Sequence, residues 1–186
     1  LGVAEAEVTA QGSGTSRQIV ISVPGDSGRR VVELVGQTAE LRFRQVLAES
    51  SPLGGSAESN ATPVAGVSAE VNAKFASLDC TNVANLQGAG VDSPTDAIVA
   101  CSRTGSSKYI LAPAEVLGTQ VSKASAGIDQ QGASGWYVLL TFNGEGTRAF
   151  GSLTARVTTL PPPQNQVAIV LDGLVVSAPA INEAIP

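Results

Sequence analysis

The stretch that decides the fold runs from Gly135 to Pro186 and reads GWYVLLTFNGEGTRAFGSLTARVTTLPPPQNQVAIVLDGLVVSAPAINEAIP. Trp136 to Phe142 is almost continuously apolar, which predicts a strand that is buried on both faces. Asn143 then predicts a helix N-cap, and Glu145 suits the positive end of the helix dipole. The helix has a single apolar stripe, which consists of Ala149, Phe150, Leu153 and Val157.

The second half of this stretch predicts a β-hairpin. Pro161 to Pro163 end the helix, and Val167 to Leu171 has the composition of a strand. Asp172-Gly173 favours a type I′ turn, after which Leu174 to Ser177 returns antiparallel. Asp172 is also a candidate catalytic acid, but the turn accounts for its presence.

The beginning of the chain, residues 4–46, predicts a compact β-β-α-β unit. Its strands are expected at 4–10, 19–23 and 40–46, and its helix at 28–35. In the last strand, Arg42 and Arg44 alternate with apolar residues. We interpret these arginines as a solvated strand face, with an anion-binding site as the alternative.

The middle of the chain carries weaker signals. Residues 48–66 are rich in Ser, Gly and Ala and predict a loop or mobile linker, because they offer too little apolar surface to offset their ordering. A helix is expected at 67–78, short strands at 97–101 and 108–111, and irregular helical structure between 113 and 127. The expected fold class is α+β, with mixed or antiparallel sheets that carry helices on one face.

Composition excludes several functional classes. The 186-residue chain carries 16 acidic and 11 basic residues, for a net charge of −5, which disfavours nucleic-acid binding. It contains no histidine, so Ser-His and Cys-His nucleophile pairs and His-containing zinc sites are excluded. Its longest apolar runs, such as Val167 to Leu171, are far shorter than the roughly 20 residues of a membrane-spanning helix. The chain begins at Leu1 and has no methionine, so we expect a segment of a longer protein.

The cysteines, Cys80 and Cys101, leave two interpretations open, a disulfide that closes a loop of about 20 residues or two unrelated buried thiols. We predict the disulfide, which implies an oxidising, extracytoplasmic compartment. Asp92 and Asp96 suggest calcium, but they lack the spacing and the closing Glu of an EF-hand loop. We therefore predict no metal site, no cofactor and no catalytic residue, and we expect that the protein is not an enzyme.

An apolar face is the remaining candidate for binding. Most of it is expected to be ordinary core, with only a fringe available to an extended polypeptide. Trp136 is either an exposed ligand platform or core, and its place at the head of a buried strand favours core. The candidate contact residues are Ile110, Leu111, Trp136, Phe142, Phe150 and Leu153.

Several motifs carry a family resemblance. LTFNGEG at 140–146, AIVLDG at 168–173 and SAP at 177–179 resemble the first extracytoplasmic domain of the SecD family, subunits of the bacterial Sec preprotein translocase. The start agrees independently, with IVISVPG at 19–25 and LVGQTAELRFR at 34–44. The form with Asp79-Cys80, Cys101 and KYILAP from Lys108 is similar to members from high-GC Gram-positive bacteria.

The resemblance implies an architecture. It consists of a partial ferredoxin-like base and an α+β head subdomain with a mixed or antiparallel sheet. We accordingly divide the chain into a base at 1–47, a Ser/Gly/Ala-rich linker and insertion with the cysteine pair at 48–107, and a head at 108–186.

The resemblance also implies a function. Family members work with SecF beside the SecYEG channel, on the extracytoplasmic face of the bacterial membrane. They are expected to bind and release the emerging unfolded preprotein in a cycle driven by the proton-motive force. The proton-relay acids and the membrane contacts belong to transmembrane segments, and none maps to this chain. The alternative is a structural module that docks other Sec subunits without touching the preprotein.

Overall fold

The computed structural model describes the side chains of residues 40–53, 63–87, 92–127 and 137–186. It also describes the backbone of 7–11, 18–22, 128 and 136. The helix expected at 28–35 and the central part of the linker expected at 48–66 lie outside the described residues. The first residues of that expected linker, 48–50, are instead the end of a strand.

The described residues form nine strands and two helices, which confirms the α+β class. The strands are β1 (Glu7–Gln11), β2 (Gln18–Ser22), β3 (Leu41–Ser50), β4 (Ile98–Cys101), β5 (Lys108–Leu117), β6 (Val121–Ile128), β7 (Trp136–Phe142), β8 (Val167–Leu171) and β9 (Leu174–Ser177). The helices are α1 (Ala69–Ser77) and α2 (Gly144–Val157), with 3₁₀ turns at Val83–Leu86 and Gly118–Gln120.

The strands form two antiparallel sheets. One has four strands in the order β1-β2-β7-β6, and the other has five in the order β4-β5-β3-β8-β9. The five-stranded sheet curls until its two outer strands meet. Ser102, directly after β4, forms a parallel bridge with Val175 of β9, and the N–H of Arg103 donates to the Val175 carbonyl at 2.8 Å. This contact covers edges that would otherwise present unpaired backbone groups.

Two apolar cores follow from this arrangement. The main core joins both sheets to α2, whose Phe150, Leu153 and Val157 are buried there. The second core lies inside the curled sheet and takes at least one residue from each of its five strands. Its members are Val46, Ala100, Tyr109, Leu111, Ala168, Val170 and Val175.

Three phenylalanines mark the point where the two sheets and α2 meet. Phe43 of β3 contacts Phe142 of β7 and Phe150 of α2 edge to face, with ring centroids 5.4 and 5.7 Å apart. Phe142 and Phe150 lie 5.3 Å apart at a tilt. Edge-to-face aromatic pairs contribute energy beyond the area that they bury, so this cluster ties the three elements together.

The decisive C-terminal stretch forms as its sequence predicts. The side chain of Asn143 accepts hydrogen bonds from the N–H groups of Glu145 and Gly146 at 3.1 and 2.8 Å, so it caps α2. Asp172 and Gly173 both have positive φ, 50° and 80°, as a type I′ turn requires. The helix expected at 67–78 is also confirmed, as α1.

The helical structure expected between 113 and 127 is wrong, because strands β5 and β6 occupy most of it. Proline usually interrupts a strand, so Pro113 argues against a strand here, but it lies in a β-bulge. Arg44 pairs with Ala114 and Val46 with Leu111, so β5 has two residues, Ala112 and Pro113, where β3 has one. A bulge is a position where a strand tolerates proline.

The expected division into base, linker and head stays a prediction, but strands from the first and last units pair in both sheets. β2 pairs with β7 in one sheet, and β3 pairs with β5 and β8 in the other. The expected boundary between 47 and 48 falls inside β3.

Candidate functional site

The structure places most of the expected contact residues in the interior. Ile110, Leu111 and Leu153 are 0% exposed, and Phe150 is 4% exposed. These four therefore offer no surface to a polypeptide in this conformation. Phe142 is half-buried within the phenylalanine cluster, and the side chain of Trp136 lies outside the described residues.

The expected solvated face at Arg42 and Arg44 is wrong, because both side chains are buried. β3 is the middle strand of the five-stranded sheet, and the segment from Asp92 to Asp96 covers its polar side. Arg44 pairs with the Asp92 carboxylate, and Arg42 Nε lies 3.0 Å from Asp92 Oδ2. That second contact lacks hydrogen-bond alignment, so it is a charge contact.

Backbone carbonyls complete the surroundings of Arg44. Its Nη1 donates to the carbonyls of Asp96 at 3.0 Å and Ala112 at 2.7 Å, and its Nη2 also donates to the Ser93 carbonyl. Burial lowers the pKa of Arg44 from its ordinary value, and the Asp92 carboxylate opposes that shift. The chain's own carboxylate thus occupies the position that an external anion would take.

A second buried cation, Lys108, pairs with Cys101 across the β4–β5 ladder. Its Nζ donates to the carbonyls of Leu53 at 3.1 Å and Leu78 at 3.4 Å, and it lies 5.1 Å from the centre of the Phe75 ring. Cation–π contacts of this kind stabilise an ammonium that has lost water. The lysine therefore holds the C-terminal end of α1 and the segment after β3 against the start of β5.

The predicted disulfide is confirmed. It joins Cys80 to Cys101 at the end of β4, with Cα atoms 5.5 Å apart, and both residues are buried. Gly105, with φ of 69°, lies against it, and a Cβ atom there would stand 2.6 Å from the Cys80 carbonyl oxygen. We call residues 63–87, which comprise α1 and the turn at Val83–Leu86, the disulfide cap.

The disulfide cap is weakly buried. None of the residues of α1 is buried, although Val71 and Phe75 face the sheet and are half-buried. Among the described residues, the exposed large apolar side chains are Leu53 at 59% and Val83 at 68%. Both lie near Cys80. Leu53 follows Pro52, whose carbonyl accepts a hydrogen bond from the Cys80 N–H at 2.7 Å, and Val83 follows Cys80 by three residues.

The outer strand β6 is partly exposed: Ser122 and Lys123 are exposed, and its other described residues are half-buried. Its residues from Lys123 to Ile128 pair in unbroken register with Thr141 to Trp136 of β7. Gly127 lies beneath the ring of Tyr137, where a Cβ atom would stand 2.4 Å from a ring carbon. No described strand pairs with the outer side of β6. The sequence concealed this strand, because its serines, alanines and glycine lack β propensity.

The described residues contain no group of three or more His, Cys, Asp and Glu side chains that is suited to a metal ion. None of the helices in that part of the chain has the length and apolar character needed to cross a membrane.

Family models match most of the chain. Residues 96–186 match the model of the SecDF P1 head subdomain, and residues 1–48 match the N-terminal part of the P1 domain of protein translocase subunit SecDF. The two matched segments contain β4 to β9 and β1 to the greater part of β3, so they contribute strands to both sheets.

Individual relatives agree. The chain is similar to protein translocase subunit SecD of Streptomyces coelicolor, at 38% identity over 63% of this chain and 21% of that protein. For SecD of Mycobacterium tuberculosis H37Rv the identity is 40%, over 53% of this chain and 16% of that protein. For SecD of Syntrophobacter fumaroxidans the identity is 30%, over 99% of this chain and 28% of that protein.

A crystal structure of SecDF in its super-membrane-facing form is 28% identical, covers 99% of this chain and 20% of that chain, and has a TM-score of 0.41. The chain spans less than a third of the length of each of these relatives. Two family models describe different parts of the same P1 domain and match this chain in the expected order, and the relatives are all SecD subunits. The chain therefore belongs to the P1-domain family of the SecD and SecDF protein translocase subunits.

Proposed function

We propose that this chain is the extracytoplasmic P1 domain of a SecD subunit and that it binds unfolded preprotein segments as they emerge during export. The match of residues 96–186 to the P1 head subdomain carries this proposal. In the complete protein the domain works beside SecF and the SecYEG channel. Binding and release there are coupled to the proton-motive force through the transmembrane segments.

The disulfide supports the proposed compartment. Disulfides persist in oxidising surroundings and are rare in the cytosol. Cys80, within the disulfide cap, and Cys101, at the end of β4, are both buried, as expected of a structural cross-link. We therefore assign the domain to the outer face of the bacterial membrane.

The role is binding without turnover. The chain has no histidine, and the buried charges among the described residues are engaged with one another or with carbonyl groups. A domain that handles many preproteins needs weak contacts of low sequence preference. Accordingly, we propose no catalytic residue and no cofactor.

Titration of the 186-residue chain into a fluorescently labelled, permanently unfolded protein tests the proposal. The unfolded form is a reduced and carboxymethylated protein, and the control is the same protein in its native, disulfide-bonded state. We expect saturable binding of the unfolded form and at least about tenfold weaker binding of the native form, since only the unfolded form offers extended backbone and apolar side chains. Equal binding of both forms, or binding of neither, contradicts the proposal.

Photo-cross-linking in the complete translocase separates this function from subunit docking. We place probes at Lys123 on β6 and at Leu53 and Val83 beside the disulfide, all of which are exposed, and we expect at least one of them to capture an arrested preprotein. Capture of other Sec subunits alone would support the docking alternative.

A further inference from the structure

The two sheets of this protein differ in whether their outer strands are paired. The five-stranded sheet closes on itself through the bridge between Ser102 and Val175. The four-stranded sheet ends at β1 on one side and at β6 on the other, and β6 has no strand partner on its outer side among the described residues. Exposed sheet edges template pairing with other chains, and proteins normally protect them.

The protection on β6 is confined to one end. A register shift lies between Val121 and Lys123, where the Ser122 hydroxyl donates to the Thr141 carbonyl at 2.9 Å. Lys123 is exposed beside it. Bulges and lysines commonly protect an edge strand against pairing with another chain. From Ala124 to Ile128 the register is regular and no charged side chain occurs.

Four of the five residues in this unguarded run have small side chains or none. Ala124, Ser125, Ala126 and Gly127 carry no branched or long group, and the Tyr137 ring covers Gly127 from the neighbouring strand. In an antiparallel ladder, alternate residues of an outer strand direct their N–H and C=O groups away from the sheet. An added strand would therefore meet backbone donors and acceptors with little side-chain obstruction.

We propose that the outer edge of β6, from Ala124 to Ile128, binds an extended segment of unfolded polypeptide by strand addition. This inference rests on the proposed function and names the site that carries it. Main-chain hydrogen bonds supply the affinity in this mode of recognition, and side-chain pockets supply specificity. The small residues of β6 provide no such pockets, so the site accepts segments of many sequences.

A second copy of this chain is a poorer occupant. Each copy carries a net charge of −5, so two copies repel each other as they approach. An unfolded segment is short, adapts its conformation and needs only a few residues of matching length.

Backbone-methylated peptides test the mode of binding. The probes are an unstructured decapeptide of mixed small and apolar residues, the same peptide N-methylated at alternate residues, and the same peptide N-methylated at every residue. The alternately methylated peptide keeps one edge with free N–H groups, so its affinity should stay close to that of the parent. The fully methylated peptide should lose affinity by about tenfold or more, because about two or three main-chain hydrogen bonds disappear.

Site-specific cross-linking locates the binding. A photoreactive residue replaces Lys123 on β6 in one variant and Lys74 on α1 in the matched control, since both lysines are exposed. Both variants are checked for an unchanged unfolding midpoint. The parent peptide should cross-link at position 123 and not at 74, and the fully methylated peptide should cross-link at neither.

The outcomes separate the two proposals. Full binding of the fully methylated peptide, or parent cross-linking at 74 and not at 123, overturns strand addition at β6 and leaves polypeptide binding intact. Failure of the chain to bind any unfolded polypeptide overturns both.

Discussion

Asp92 is the residue on which the polar interior of this domain depends. Its carboxylate faces the guanidinium groups of Arg42 and Arg44, and all three side chains are buried. Removing one partner of a buried ion pair leaves an uncompensated charge, which costs about 3–5 kcal/mol of stability. We expect Asp92→Asn to lower the free energy of unfolding by that amount, measured by urea denaturation.

Asp96→Asn is the control for this substitution. Asp96 is exposed, and its side chain accepts a hydrogen bond from the hydroxyl of Ser93 at 2.6 Å. Its bond to Arg44 comes from the backbone carbonyl, which the substitution keeps. We expect a loss below about 1 kcal/mol. Equal losses for the two variants would show that the ion pair contributes nothing specific.

Tyr109 makes the stability of the domain vary with pH in the alkaline range. Burial, together with the negative charge of Glu49, raises the pKa of Tyr109 from 10.0 to about 12. Between these values the unfolded chain releases the proton while the folded chain retains it. Stability contributed by the neutral phenol is therefore full below pH 10 and is lost as the pH rises towards 12.

Tyr109→Phe should remove this part of the pH dependence. We expect the unfolding midpoint of the parent protein to fall more steeply between pH 10 and 12 than that of the variant. Thermal unfolding of both proteins across this range checks the difference. Parallel curves would contradict the assignment.

The buried arginines show where residue-level prediction ends. Alternation of Arg42 and Arg44 with Leu41 and Phe43 correctly predicts a strand. It does not reveal what covers the polar side, because Asp92 lies 48 residues beyond Arg44 in the sequence. A buried charge pair leaves no local pattern in the sequence. Alternation of charged and apolar residues is typical of a strand with one solvated face, so the sequence predicted such a face, and the prediction was wrong.

At the scale of elements, the first turn of α2 fits against the 3₁₀ turn before β6. A Cβ atom on Gly146 would stand 2.9 Å from the Gln120 Cβ and 3.1 Å from the Gln120 carbonyl oxygen. Overpacking of this kind costs about 1–3 kcal/mol, and the better helix propensity of alanine returns at most about 1 kcal/mol. We expect Gly146→Ala to destabilise the protein in chemical denaturation.

Gly144→Ala is a matched control in the same turn. Its added Cβ would meet only the Arg148 Nη1 atom, at 4.0 Å. This variant should be as stable as the parent or slightly more stable. If both variants behave alike, helix propensity and not the contact with Gln120 governs the first turn of α2.

Elements built on local signals were predicted well. The cap at Asn143, the helix α2 and the turn at Asp172-Gly173 each depend on neighbouring residues. β6 depends on β7, with which it pairs along its whole length, and its own composition favours no strand. Strand pairing between distant segments therefore overrode the local preference between 113 and 127.

At the scale of the whole molecule, the disulfide attaches the disulfide cap to the curled sheet. α1 contributes no buried residue, so the cap has little apolar packing of its own. Replacing both Cys80 and Cys101 by serine should lower the free energy of unfolding by about 2–4 kcal/mol, because the unfolded chain regains entropy. Denaturation of the parent and the double variant measures this loss.

Limited proteolysis identifies the part of the chain that becomes less stable when the disulfide is removed. Residues 63–87 should become the first cleavage site of the double variant, whereas β8 should remain resistant. Thiol titration of the unfolded, unreduced parent should find no free thiol. Detection of free thiols, or a double variant as stable and as resistant as the parent, contradicts the role assigned to the cross-link.

The family was recognisable from short motifs, but the assembly of the sheets was not. LTFNGEG and AIVLDG identify the P1 domain and also form a cap, a helix and a hairpin. The strand order β4-β5-β3-β8-β9 places the first and last parts of the chain side by side. No local pattern specifies such pairings, since they join residues more than a hundred positions apart.

The central place of β7 in its sheet gives the domain a mechanical anisotropy. β7 is bonded to β2 on one side and to β6 on the other, and these bonds run across the strand direction. Tension along β7 loads all of them at once, whereas tension that lifts β6 sideways loads them in succession. The domain should thus resist a pull along its strands far better than a pull across them.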